Sequence, residues 1–69
     1  MAYITIARAI YDYEPQDEGE IALKENEIVY IFEKDTEENE GWWRGKNKEQ
    51  STEGLFPSSY VEEVIIIYL

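Results

Sequence analysis

Aromatic side chains gather in three places along the chain: Tyr11 and Tyr13 within Ala9-Ile10-Tyr11-Asp12-Tyr13, the adjacent Trp42-Trp43, and Tyr60 at the end of Pro57-Ser58-Ser59-Tyr60. Tyr and Trp combine a large rigid face with a polar tip that can bond a carbonyl. Brought together, such rings line a shallow groove divided by ridges. That shape suits a polyproline II segment, which has three residues per turn, free carbonyls and no internal hydrogen bonds to break. Asp17, Glu18, Glu20 and Glu40 lie near these clusters in sequence and are candidate contacts for an Arg or Lys of the ligand. The alternative for each acid is a solvated acidic surface. An exposed ion pair is worth only about 0.2 to 1 kcal/mol, so the acids would set orientation and encounter rate while the rings supply most of the binding energy.

Catalytic chemistry finds little support. Histidine and cysteine are absent, which removes the commonest general base and the strongest thiol nucleophile. Ser51, Ser58 and Ser59 have no evident base partner, and the four glycines are scattered rather than gathered into a phosphate-cradling loop. The acidic run 35–40 lacks the spacing of a calcium loop. No enzyme activity, metal site or cofactor is expected.

The charge balance narrows the partners. Sixteen acidic residues against six basic ones give a net charge of −10, a field that repels nucleic acid and anionic membranes. A basic peptide would be drawn in, faster at low salt. With 69 residues, the chain has room for one domain, 1–69, burying roughly 60% of the surface its unfolded form exposes. Its 43% hydrophobic and 14% aromatic content argues for a folded core. Without cysteine that core must stand without disulfides, which fits a reducing compartment. No stretch reaches the roughly 18 apolar residues of a membrane span and no signal peptide is recognisable, so a soluble cytoplasmic protein is expected.

The elements that would position the aromatics read as β throughout. Ala7, Ala9 and Tyr11 alternate with Arg8, Ile10 and Asp12, as in a first strand with small residues inward. Residues 12–26, with Pro15, Gly19 and many acids and amides, form a long structured loop from which Ile21 and Leu23 could plug the core. Residues 27–33 are β-branched and aromatic, a second strand with Val29 and Ile31 on one face. Residues 34–40 are a polar loop and 41–46 open the third strand. Adjacent strand residues point oppositely, so Trp42 and Trp43 take different roles. Residues 48–51 lack a tight-turn dipeptide, which implies a connection of four or five residues. Leu55 and Phe56 end a fourth strand, 57–60 fits one 3₁₀ turn, and Val61 begins the last strand.

Order and spacing together resemble the Src homology 3 (SH3) domain over roughly residues 7–64. Ala9-Ile10-Tyr11-Asp12-Tyr13 is similar to the family's Ala-Leu-Tyr-Asp-Tyr, and Glu20-Ile21-Ala22-Leu23 to its Glu-Leu-Ser-Phe. Gly41-Trp42-Trp43 and Gly54-Leu55-Phe56-Pro57-Ser58-Ser59-Tyr60-Val61 agree in register. The resemblance implies an all-β, five-stranded barrel of two packed, strongly bent antiparallel sheets with a short 3₁₀ turn. Its core would include Ala7, Ala9, Ile21, Leu23, Val29, Ile31, Gly45, Phe56 and Val61. It further implies a groove made by Tyr11, Tyr13, Trp42, Pro57, Ser59 and Tyr60, with Trp42 as the ridge between a proline pocket and a charge pocket. The partners it implies are proline-rich segments bearing Arg or Lys, in signalling, endocytosis or actin organisation. Two positions depart from the family: Ser59 replaces the usual asparagine, and Glu25-Asn26-Glu27 replaces Lys-Gly-Asp, where Asn26 can still adopt a left-handed conformation.

Tyr3, Tyr30 and Tyr68 fall outside these motifs and read as packing residues. The apolar tail 64–69 could pair with residues 2–6; strand exchange between two copies, docking elsewhere or an engineered appendage are the other readings. A monomer is expected. The competing reading of the whole chain is a structural or engineered β module that self-associates through its apolar terminal strands.

Overall fold

The structure, a computed structural model, describes residues 3–35, 40–49 and 51–64. Among the described residues five antiparallel strands make one sheet: β1 (Thr5–Ala9), β2 (Ile28–Glu33), β3 (Trp42–Asn47), β4 (Glu53–Pro57) and β5 (Val61–Glu63). A single 3₁₀ turn, Ser58–Tyr60, separates β4 from β5. The spatial order is β4-β3-β2-β1-β5, so one continuous ladder runs the length of the fold and the terminal strands β1 and β5 lie side by side. The all-β reading and the 3₁₀ turn are both borne out.

Alternation explains which face closes on the core. In β1 and β2, Ala7, Ala9, Val29 and Ile31 are wholly buried, while the residues between them are half-buried or exposed. Phe56 of β4, Val61 of β5, and Ile21 and Leu23 from the long loop complete the buried cluster. Each large aliphatic or aromatic side chain so removed from water contributes about 1.5–3 kcal/mol. Alanine at positions 7 and 9 is a matter of room, since β1 lies between two strands that send larger side chains into the same space. Gly45 answers the same constraint: a Cβ there would sit 2.4 Å from the Tyr30 carbonyl oxygen and 3.1 Å from the Phe56 ring.

β1 ends at Ala9, two residues before the alternation does. Beyond it the backbone changes partners: the Ile10 N–H donates to the Tyr60 carbonyl and the Asn26 N–H to the Ala9 carbonyl. Tyr11 thereby leaves the ladder and is 58% exposed. Asn26 takes the left-handed conformation anticipated for it, with φ of 75°. The expected pairing of the tail begins as far as it can be followed, the Val64 N–H donating to the Ile6 carbonyl. Tyr68, the rest of the tail and residue 2 lie outside the described residues.

Candidate functional site

The long loop is held at three levels, and these set the position of Tyr13. Tyr13 and Leu23 exchange both backbone hydrogen bonds at 2.9 Å, closing the loop into a two-armed finger. Farther out, the Leu55 N–H donates to the Gly19 carbonyl and the Ile21 N–H to the Leu55 carbonyl, docking the finger on β4. Gly54 makes this contact possible, because a Cβ on it would lie 2.5 Å from the Gly19 carbonyl oxygen. At the base, the fully buried Asn47 donates from Nδ2 to the Ala22 carbonyl at 3.1 Å and accepts the Thr52 N–H on Oδ1 at 3.0 Å. One amide therefore ties the loop to the β3–β4 connection.

Tyr60 is delivered by the 3₁₀ turn and Trp42 by the start of β3. The turn is fixed to the residue before Trp42: Ser58 donates both its N–H, at 2.9 Å, and its Oγ–H, at 3.1 Å, to the Gly41 carbonyl. Trp42 is register partner to Pro57, so the two share the outward face of β3 and β4. Trp43 has the opposite parity, packs against the core cluster and lies beneath the Lys34 ammonium, 4.9 Å from the ring centroid.

From these anchors four rings form a row. Tyr11 meets Tyr60 at 5.6 Å, Tyr60 meets Tyr13 at 5.4 Å and Tyr13 meets Trp42 at 6.3 Å, with the ring planes of each pair at 77° or 78° to one another. Edge-to-face contact suits the aromatic quadrupole and leaves successive rings as alternating walls and floors. Tyr11, Asp12, Ser59 and Tyr60 line an open hollow of about 590 Å³ at one end of the row. Asp12 was not anticipated there. It sits between the two tyrosines in sequence, and its Oδ1 accepts the Glu25 N–H at 2.8 Å.

The polar tips are not equivalent. Tyr13 donates its hydroxyl to Glu20 Oε1 at 2.5 Å, so it offers an outside molecule its ring rather than its O–H. The Tyr11 and Tyr60 hydroxyls and the Trp42 indole N–H have no hydrogen-bond partner among the described residues. The bond to Glu20, then burial, push the Tyr13 hydroxyl up to about 12, and the same bond holds the Glu20 carboxyl below its ordinary range. Glu20 Oε1 also accepts the Gln16 N–H at 2.8 Å.

Among the four acids singled out from sequence, Glu20 touches the aromatic row through Tyr13, and Asp17 is close enough to contribute to the Tyr13 shift. Glu18 and Glu40 are exposed and make no ion pair or hydrogen bond with the described residues. No group of three or more acidic side chains that could hold a metal ion occurs among the described residues, and no helix there is long and apolar enough to cross a membrane.

The family model of the SH3 domain matches residues 8–58. This chain is an SH3 domain. A similar relative, the actin cytoskeleton-regulatory complex protein sla1 of Sclerotinia sclerotiorum, is 40% identical over 91% of the chain. Protein app1 of Schizosaccharomyces pombe is 50% identical over 84% of it. Each alignment covers about 6% of the relative's own length, so the match is to one module of a much longer protein. Among solved structures, the yeast Nbp2p SH3 domain in complex with a peptide from Ste20p aligns with a TM-score of 0.81 and 33% identity over all of both chains. The C-terminal SH3 domain of myosin IB from Entamoeba histolytica, bound to the EhFP10(GEF) peptide, aligns with a TM-score of 0.77 and 34% identity, covering 99% of this chain and 94% of that one.

Proposed function

We infer that this SH3 domain is a noncatalytic interaction module that binds proline-rich segments in the polyproline II conformation and uses them to recruit partners. The observation that carries this reading is the row of four edge-to-face rings, Tyr11, Tyr60, Tyr13 and Trp42. Its hollows would seat proline rings. The three unengaged tips would donate to the ligand's carbonyls, which proline leaves free of internal bonds. Pro57 extends the wall beside Trp42, and Ser59 lends a hydroxyl at the far end. A basic residue of the ligand would turn toward the acids beside Tyr13 and Trp42: Asp17 and Glu20 on the finger, Glu18 and Glu40 at its margins.

Two SH3 structures similar to this one hold peptides, and a relative regulates the actin cytoskeleton, so a cytoplasmic role in actin organisation or endocytosis is the cellular context we assign. The test is a residue-resolved NMR titration with two proline-rich peptides, one with Arg at its N-terminal end and one with Arg at its C-terminal end. Shifts at Tyr11, Tyr13, Trp42 and Tyr60 are expected, and the tighter peptide reports the preferred direction. Trp42→Ala should abolish binding with the fold intact, whereas Trp43→Ala should chiefly destabilise. Silence from both peptides near millimolar concentration would remove the groove reading.

A further inference from the structure

A second apolar surface lies apart from the aromatic row. The face of β1, β2 and β3 turned away from the core carries Ile6, Ile28, Tyr30 and Phe32, all only half covered. The register sets Ile6, Tyr30 and Lys46 in one cross-strand row. One row on, the Lys48 N–H donates to the Ile28 carbonyl, which places Lys48 beside Ile28. Tyr3, 48% exposed, folds over Tyr30 with ring centroids 5.0 Å apart. Tyr3, Tyr30, Phe32 and Lys46 line a cleft of about 130 Å³. None of these residues belongs to the groove.

Charge selects the occupant. Arg8 on this face is held by Glu62 at 3.7 Å and Asn26 at 2.6 Å, and Arg44 by Glu33 and Glu53. Lys46 and Lys48 have no ion-pair partner among the described residues, in a chain with sixteen acids and six bases. Two unpaired cations beside an open apolar cleft complement an apolar residue flanked by carboxylates. Spacing sharpens this. Residues two apart on a strand are about 6.6 Å apart, and an extended ligand repeats its own side chains at that interval.

We propose that this face is a second docking surface, for an extended acidic segment that seats one large apolar side chain in the cleft walled by Tyr3, Tyr30 and Phe32. Its carboxylates, at alternate positions, meet Lys46 and Lys48. Because the two surfaces share no residue, the domain can hold this segment and a proline-rich segment at once.

The probe is a short peptide with one leucine followed by glutamates at alternate positions, titrated by NMR and by fluorescence anisotropy at low and physiological salt. Amide shifts should appear at Tyr30, Phe32 and Lys46, with those of Tyr13 and Trp42 unmoved, and affinity should fall as salt rises. The double variant Lys46→Glu, Lys48→Glu should weaken the acidic peptide by about tenfold or more, and Tyr3→Ala by several-fold. Lys48 is exposed and Lys46 half-covered outside the core, and circular dichroism verifies that the variants fold. Shifts confined to the groove, affinity unchanged by charge reversal, or no shifts at millimolar peptide would each overturn the proposal, whatever the result with proline-rich ligands.

Discussion

Glu20 lies near the tip of the long loop and Glu27 just past its base, where the chain enters β2, and their surroundings treat them in opposite ways. Glu20, near the tip, is half-covered and accepts from the Tyr13 hydroxyl and the Gln16 N–H, which hold its carboxyl low. Glu27, at the base, is 6% exposed, and its Oε1 is buried with no hydrogen-bond partner among the described residues. Burial, reinforced by the nearby Glu49 and opposed by Lys24, pushes its carboxyl up. The tip is a region where ionisation is accommodated and a ring is positioned. The base is one where ionisation costs stability, because a buried unpartnered acceptor forfeits its hydration without replacement.

The largest break in this comparison comes from unfastening the loop altogether. Leu23→Ala removes a core side chain from the residue that pairs with Tyr13, and should lower stability by about 2–5 kcal/mol in denaturant unfolding. Gly54→Ala attacks the tip alone. The added methyl meets the Gly19 carbonyl and Ile21, so a loss of about 1–3 kcal/mol is expected, together with displaced amide signals at residues 17–20.

Glu27→Gln should act in the other direction, raising stability at pH 7 by about 1 kcal/mol. A carboxyl raised in the folded state contributes its stability fully below the ordinary value near 4.5, and loses it as pH climbs through the folded value. The difference between wild type and Glu27→Gln should therefore grow above pH 4.5 in thermal melts. Glu20 has the opposite sign: its contribution is present above 4.5 and lost as pH falls through its lowered value. Tyr13→Phe makes the smallest change, returning the Glu20 carboxyl toward its ordinary range in a carbon-detected NMR titration with little effect on unfolding.

The same contrast marks what could be read without coordinates. Most inward positions on the strands were legible because period-two alternation and burial are one signal, and each of the nine residues that the SH3 resemblance assigned to the core is buried. Asn47 was not, since its polarity argues for surface even though its parity with Gly45 places it inside. Only the pairing of its amide with Ala22 and Thr52 reconciles the two. Glu27 was read as the edge of an apolar strand, and nothing in its type announces burial. Tyr11 carries strand alternation and yet leaves the sheet, because hydrogen bonds from residues distant in sequence take over the backbone at Ala9 and Ile10. The aromatic motifs picked out all four rings of the row, but Asp12 at its end and the engagement of the Tyr13 hydroxyl depend on three-dimensional neighbours. Tyr3 and Tyr30 were read as packing and do pack on each other, while the cleft they make with Lys46 arises from cross-strand register.

Tyr11 precedes the long loop and Tyr60 closes the last turn, yet their rings touch. No unfolded or half-folded chain can offer the row they belong to, so any molecule lying across it selects the native state alone. Such a molecule acts as a non-covalent clasp between the two ends of the sequence. At a hundred times its dissociation constant it would add about 2.7 kcal/mol to the stability of the domain, a large increment for so small a core.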